Sequence, residues 1–406
     1  MTATTPEART PAPRFAEFVA LMALLMATVA YSVDSMLPLL DAMGEALSPD
    51  APQRAQLVIT SFVLGLGAGT LVTGPMSDAF GRKPVVMAGI ALYMLAAVVA
   101  ALADSIAWLL VARFVQGLGT SAPRVVSQAM VRDLYAGRMM ARVISFSMTI
   151  FTLVPAIAPL MGAGLGAVFG WRAIFWSFLG FGLVSGGWML LRQPETLPPE
   201  RRRALALRPL WLALRDVLGH RQVRLFLLAQ TFVYTTMFVW LAEVALVYDQ
   251  AFDRGVDFPF WFALVALLSA PASMLNARLV IRLGMRRLVT VALLALAGVA
   301  LVVIGALILG KGAIPFALFF AFMVLQFFSI GFLLGNLNAL ALEPMGHVAG
   351  MAASVMSGVA TVASALLAAP VVRFHDGTPL PIAMAVLLCT LAALVCMARA
   401  GGRDDL

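Results

Sequence analysis

Twelve apolar runs divide this chain, and each is long enough to cross a bilayer, which takes about 20 helical residues. They cover residues 15–40, 55–75, 85–103, 107–131, 143–167 and 171–191, then 225–248, 258–279, 288–309, 314–340, 348–372 and 380–398. Continuous runs of this kind are helices, because the strands of a membrane barrel are about 10 residues long and alternate in polarity. Of the 406 residues, 62% are apolar and 12% charged. A soluble domain carries about 25% charge, so this chain cannot cover a water-soluble globule, and the same numbers exclude disorder. The expected fold is an all-α membrane protein of twelve transmembrane helices in two pseudo-symmetric six-helix halves. The tail 1–14 is short and polar, and the run after it is too long for a signal-peptide core, so a retained first span is expected.

The segment 192–224 is the one long polar stretch, with Pro194, Pro198, Pro199 and the bases Arg201, Arg202 and Arg203. It separates a first half, 15–191, from a second, 225–398, which is followed by a tail at 399–406. With the N-terminus placed inside, 21 of the 28 Lys and Arg fall in inner segments, 5 in outer ones and 2 within the membrane. That asymmetry puts both termini in the cytoplasm and accounts for the net charge of +8 without nucleic-acid binding. The halves also look related. Gly81-Arg82-Lys83-Pro84-Val85-Val86 precedes the third span, and Gly284-Met285-Arg286-Arg287-Leu288-Val289 precedes the ninth. Halves related by an internal repeat suit a transporter that rocks about a midplane site. Cys389 and Cys396 lie seven apart in one run, too far to bridge, and are expected in the core.

Polar residues inside such runs are costly and mark function by default. Asp34 lies in span one, between Tyr31 and Pro38. Arg113 lies in span four, with Gln116, Thr120, Arg124, Ser127 and Gln128 near the same side. Asp34 and Arg113 are each six residues from the outer end of their runs, so they sit at matching depth and can pair. Burial favours the neutral acid and a nearby guanidinium favours the carboxylate, which makes Asp34 a candidate proton carrier. The plainer readings are a permanently paired structural Asp34 and an Arg113 that snorkels to the headgroups. Arg124 follows Arg113 by three helical turns and is either an anion-binding group or an inner-face anchor.

Between spans two and three, Gly74, Asp78, Gly81, Arg82 and Lys83 can form an acid–base latch on the cytoplasmic face, or simply a basic loop. Span five carries Pro155, Pro159 and Gly162; two prolines four apart are expected to kink it. The candidates for a substrate cavity are Tyr31, Gln116, Thr120 and Arg124 in the first half and Gln230, Tyr234, Phe238, Glu243, Asn276, Gln326 and Asn336 in the second. Amides in bundles often only join helices, and Glu243 has an interfacial reading. Gly305 to Lys311 matches seven positions of a phosphate-binding loop, but Gly312 stands where Ser or Thr is needed and no strand precedes it. The three histidines, His220, His347 and His375, are scattered.

The loop Gly74-x-x-x-Asp78-x-x-Gly81-Arg82-Lys83 and the span-four stretch Arg113-x-x-Gln116-Gly117 resemble motifs of the major facilitator superfamily. Span five resembles, in degenerate form, the Pro/Gly-rich signature of its drug/proton antiporters. Asp34-x-x-x-Pro38, Val131-Arg132-Asp133-Leu134, Gly170-Trp171-Arg172-Ala173-Ile174-Phe175 and Asn276-Ala277-Arg278-Leu279 resemble the bicyclomycin/chloramphenicol resistance (Bcr/CflA) family. The resemblance implies a bacterial inner-membrane exporter of small drugs, coupled to proton entry. It implies proton transfer at Asp34, with Arg113 as partner, and gating by the Asp78–Arg82 loop. Arg124 and Gln128 depart from the family pattern.

A proton-coupled multidrug efflux antiporter is therefore expected, working by alternating access. The alternative is a proton-coupled exporter or symporter of one physiological metabolite. A receptor or membrane enzyme would call for an output domain or clustered catalytic groups, and the sequence offers neither. No cofactor and no metal are expected, only a proton gradient as energy source. The expected partners are a small-molecule substrate, protons and the bilayer, with the chain acting as a monomer and binding no nucleic acid.

Overall fold

The computed structural model describes residues 14–202, 205, 207–374 and 377–401. The first half holds α1 (Phe15–Asp34), α2 (Leu40–Leu47), α3 (Leu57–Phe80), α4 (Arg82–Ala101), α5 (Ile106–Leu134), α6 (Gly137–Phe169) and α7 (Ala173–Arg192). The short α8 (Leu207–Gly219) follows. The second half holds α9 (Arg221–Gln250), α10 (Phe258–Ser269), α11 (Pro271–Leu283), α12 (Met285–Leu309), α13 (Phe316–Leu342), α14 (Ala349–Ala368) and α15 (Leu380–Arg399). No strand occurs among the described residues.

Ten helical segments are long and apolar enough to cross a membrane. α5 has the length, at 29 residues, but Arg113, Gln116, Thr120 and Arg124 lower its apolarity. α6 runs unbroken through Pro155 and Pro159. Large apolar side chains such as Leu95, Val302 and Leu388 lie more than half exposed on the outside of the bundle. Water would penalise that surface and lipid does not. The chain is a multi-pass membrane protein.

Three expectations change in detail. The first apolar run is not one helix: α1 stops at Asp34, and Leu37–Leu39 forms a separate 3-10 turn with Pro38 in it. Proline lacks an N–H and restrains the residue before it, so the helix breaks there. Asp34 thus ends α1 instead of lying six residues inside a longer helix. The eighth span divides into α10 and α11 at Pro271, for the same reason. The polar stretch 192–224 is not all loop, since α8 forms within it.

The repeat has a backbone counterpart. Gly81 (φ +103°, ψ 158°) and Gly284 (φ +76°, ψ 156°) each occupy the residue just before a helix, α4 and α12 respectively. Only glycine adopts such a φ without strain, so the same turn is built at the same place in each half.

Across the seam, α3 packs on α14 and α6 on α10. The apolar core is not evenly shared along the bundle. At the end holding residues 37–57, one cluster joins both halves, from Tyr31 and Leu37 to Trp240, Tyr248 and Ala368. At the opposite end, which carries Arg82, Arg192 and Arg286, the halves have separate clusters, one around Phe18 and Val86 and the other around Phe226 and Val355. The two ends are called below the merged end and the basic end.

Candidate functional site

Three sequence-predicted groups of the first half meet at residues 32–35. α5 brings Arg113 there. Its side chain is fully buried, which excludes snorkelling. Its Nη2 donates to the Ser32 carbonyl at 2.9 Å, and its Nη1 donates to Gln116 Oε1 at 2.5 Å. The Phe62 ring lies 4.3 Å from the guanidinium carbon. α6 brings Gly162, where a Cβ would collide with the Ser35 carbonyl, so only glycine lets the two backbones approach this closely. α1 brings Asp34, which is 5% exposed.

Asp34 and Arg113 share this neighbourhood but form no ion pair with each other in this conformation. Among the described residues the Asp34 carboxylate has no ion-pair or hydrogen-bond partner. An unpaired charge out of water is expensive. The arrangement therefore suits a group that alternates between a neutral acid and the partner of Arg113, which α5 holds against Ser32, two residues before Asp34 on α1.

The remaining candidates divide into engaged and unengaged groups. Tyr31 donates to Ser177 Oγ at 2.9 Å and stacks on Phe181, so it is fixed inside the first half. Thr120 Oγ1 donates to the Gln116 carbonyl at 2.7 Å. Asn336 Nδ2 donates to Asn276 Oδ1 at 2.8 Å, which ties α13 to α11. Gln326 Nε2 donates to Thr236 Oγ1 at 2.8 Å, which ties α13 to α9. Gln230, Tyr234 and Phe238 are spaced four apart and so share one face of α9; the last two rings stack. Glu243 is buried inside the bundle.

Several buried polar atoms have no protein partner among the described residues: Arg113 Nε and Gln116 Nε2 in the first half, and Gln230 Oε1, Trp240 Nε1 and Gln326 Oε1 in the second. Buried polar groups are normally satisfied, so these are the atoms best placed to meet a polar substrate or water. Arg124 is half-buried, and its side chain makes no hydrogen bond or ion pair among the described residues. No group of three or more His, Cys, Asp or Glu that could hold a metal occurs among them.

The predicted latch lies at the basic end, far along the chain from Asp34. Arg82 Nη1 meets Asp78 Oδ1 at 2.5 Å and Ser77 Oγ at 2.7 Å. Its Nε meets Asp133 Oδ2, at the foot of α5, at 2.9 Å. Lys83 Nζ donates to the Leu190 carbonyl at 2.7 Å. Two members of this network were not picked out as latch residues in the sequence. Asp133 supplies the second acid. Glu195, just beyond α7, accepts the backbone N–H groups of Arg82 and Lys83 at 3.0 and 3.2 Å, and so caps α4 from a distant segment. Thr196 Oγ1 donates to Asp133 Oδ2 at 3.1 Å and closes the ring. The only trace of Glu195 in the sequence is an acid in a basic, proline-rich loop, which reads as a solvated charge.

Residues 19–369 match the family model of the Major Facilitator Superfamily. A bicyclomycin resistance protein homolog of Haemophilus influenzae is 29% identical over 381 residues, covering 93% of this chain and 94% of that protein. A chloramphenicol resistance protein of Pseudomonas aeruginosa is 40% identical over 166 residues, covering 40% of this chain and 39% of that protein. These relatives agree with the Bcr/CflA resemblance read from the motifs. Among solved structures, the xylose transporter XylE from E. coli, in a partially occluded inward-open conformation, superposes with a TM-score of 0.74 at 13% identity, covering 94% of this chain and 96% of that one. That likeness concerns the fold alone. The chain belongs to the Major Facilitator Superfamily, and is a transporter rather than an enzyme.

Proposed function

We propose that this transporter exports small, largely hydrophobic compounds in exchange for protons, by alternating access. Its setting is a bacterial inner membrane, with both termini in the cytoplasm. The observation that carries the reading is the site at residues 32–35, where a buried Asp34, unpaired among the described residues, ends α1 beside a buried Arg113 held by Ser32. Proton arrival and substrate arrival compete there for one carboxylate. The relatives named for drug resistance support the class of cargo. The stacked Tyr234 and Phe238 beside unpartnered amide atoms suit an apolar compound with a few polar groups.

The charge asymmetry of the loops supports an orientation with the basic end inside. The separate cores at that end then correspond to an inward-facing state. The Asp78–Arg82–Asp133 network acts as the latch that holds the helices of the first half in register as that end opens and closes.

The test is exchange in proteoliposomes under an imposed pH gradient, with substrate chosen from a susceptibility panel in an efflux-deficient host. Asp34→Asn is expected to fold normally, bind substrate and lose pH-driven exchange. Undiminished exchange would remove Asp34 from the mechanism. A second reading, export of one anionic metabolite, is favoured by Arg124, a half-buried cation without a partner among the described residues. Arg124→Ala would then abolish transport of anions and spare neutral drugs.

A further inference from the structure

Ser32 meets the proton site twice, through its carbonyl and through its side chain. α1 ends at Asp34, so the last carbonyls of the helix lack their usual partners. The Met36 N–H, which would close the next turn on Ser32, donates to the Val33 carbonyl at 3.4 Å instead. That leaves the Ser32 carbonyl for Arg113, whose Nη2 donates to it at 2.9 Å. The side chain points to α4. Ser32 Oγ lies 2.9 Å from the Tyr93 hydroxyl and 2.6 Å from the Thr28 carbonyl.

A carbonyl only accepts, and a serine has a single O–H to give. That O–H goes to Thr28, so Tyr93 is the donor to Ser32 Oγ. The bonds run one way, from Tyr93 to Ser32 to Thr28, and tie the last turns of α1 to α4. Tyr93 is itself held at the merged end. Its side chain is fully buried and its ring lies 6.3 Å from that of Phe178. A Cβ built on Gly119 of α5 would lie 2.7 Å from the Tyr93 backbone nitrogen. α4 and α5 thus touch backbone to backbone there, and the phenol and Arg113 belong to one closely packed helix pair. A buried tyrosine that bonds the next helix is usually only a fastening. The attachment point makes the difference, since Ser32 is the residue that Arg113 grips, two before Asp34.

We propose that Tyr93 is a positioning residue of the proton site: through Ser32 it holds the last turn of α1 where Arg113 can meet an ionised Asp34. This role rests on proton transfer at Asp34 in the proposed exchange. Without the hydroxyl the turn is freer, the ion pair forms less well, and the carboxyl keeps its proton to higher pH. α5 brings Arg113 to this turn and α4 brings Tyr93, while Tyr31 of α1 is bonded to Ser177 of α7. α6 carries no titratable residue between Pro155 and Phe169, nor α7 between Ala173 and Leu191. α2 and α9 pack on the following turn, Leu37–Leu39, and carry Asp41, Glu45, Glu243 and Asp249 at this end. Tyr93→Phe alters none of these acids.

The test follows Asp34 directly, by infrared pH titration of the purified full chain in detergent, reading the protonated-carboxyl band that Asp34→Asn removes. Tyr93→Phe, which deletes one hydroxyl, is expected to raise the midpoint of that band by about half a pH unit. Ser32→Ala removes the acceptor and is expected to do the same, and the double variant no more than either. The pH profile of exchange in proteoliposomes should move in step. An unmoved midpoint in Tyr93→Phe overturns the role, because losing a plain fastening lowers thermal stability without touching the titration of Asp34. A shift in Tyr93→Phe that Ser32→Ala does not share overturns it as well, since the route is then not through Ser32. If Asp34→Asn removes no band, proton transfer at Asp34 falls, and this role with it. If Tyr93→Phe does not fold, Ser32→Ala decides.

Discussion

At the scale of single residues, Arg113 governs the proton site more than its charge suggests. It holds the end of α1 through the Ser32 carbonyl, orients Gln116, and lies over Phe62. Lysine cannot replace this, because a single ammonium lacks the planar fork that reaches two acceptors while stacking on a ring. Arg113→Lys should therefore leave Gln116 Oε1 or the Ser32 carbonyl unmet, at a cost of about 1–3 kcal/mol. Thermal unfolding in detergent should register that loss, and exchange should fall at least tenfold. Wild-type exchange in this variant would mean that Arg113 matters only as a charge. The residue was legible in the sequence because an arginine within an apolar run demands a reason. Its hold on Ser32 was not legible. Ser32 contributes a backbone carbonyl, which no side-chain pattern encodes, whereas the end of α1 at Asp34 had a signal in Pro38, four residues on, that the length of the apolar run outweighed.

At the scale of elements, the start of α4 depends on a segment more than a hundred residues away. Helix N-termini leave backbone N–H groups unsatisfied, and here Glu195 takes two of them while accepting Thr196 and Leu197 N–H as well. Glu195→Ala should destabilise the fold by about 1–2 kcal/mol, as the loss of a capping side chain does. It should also free the loop that positions Arg82 between Asp78 and Asp133. Gly81→Ala should have a similar effect by another route, since φ is +103° there and a Cβ would press on the Glu195 carboxylate. Combining the two substitutions should cost less than the sum, because both disable the same cap. Full additivity in unfolding measurements would show that they act separately. The acid, glycine and base of this loop could be read from their spacing. The cap could not, since it joins two segments that only the folded helices bring together. The same holds for Asn336 and Asn276, which stand out as intramembrane amides but turn out to satisfy each other.

At the scale of the whole molecule, the seam between α3 and α14 is where rocking of the halves can be arrested. Two helices that move against each other need small residues where they touch, and Gly74 of α3 faces Ser354 of α14. A Cβ built on Gly74 lies 3.9 Å from the Ser354 Cβ, within the ~3.5–4.5 Å range that a disulfide spans. The pair Gly74→Cys/Ser354→Cys should therefore oxidise readily. The chain's own thiols, Cys389 and Cys396, must first be replaced by alanine so that no other bridge can form. The cross-link joins a helix of the first half to one of the second, towards the basic end, where the apolar cores are already separate. If alternating access requires α3 and α14 to slide or part there, the oxidised protein should bind substrate but not exchange it, and a reductant should restore exchange. Each single-cysteine variant should transport in both redox states, which separates locking from damage at Gly74 itself. Oxidised double variant that exchanges at the reduced rate would fix α3 to α14 throughout the cycle. The moving contacts would then lie elsewhere on the seam, foremost between α6 and α10; α6 also carries Gly162, which abuts the residue next to Asp34.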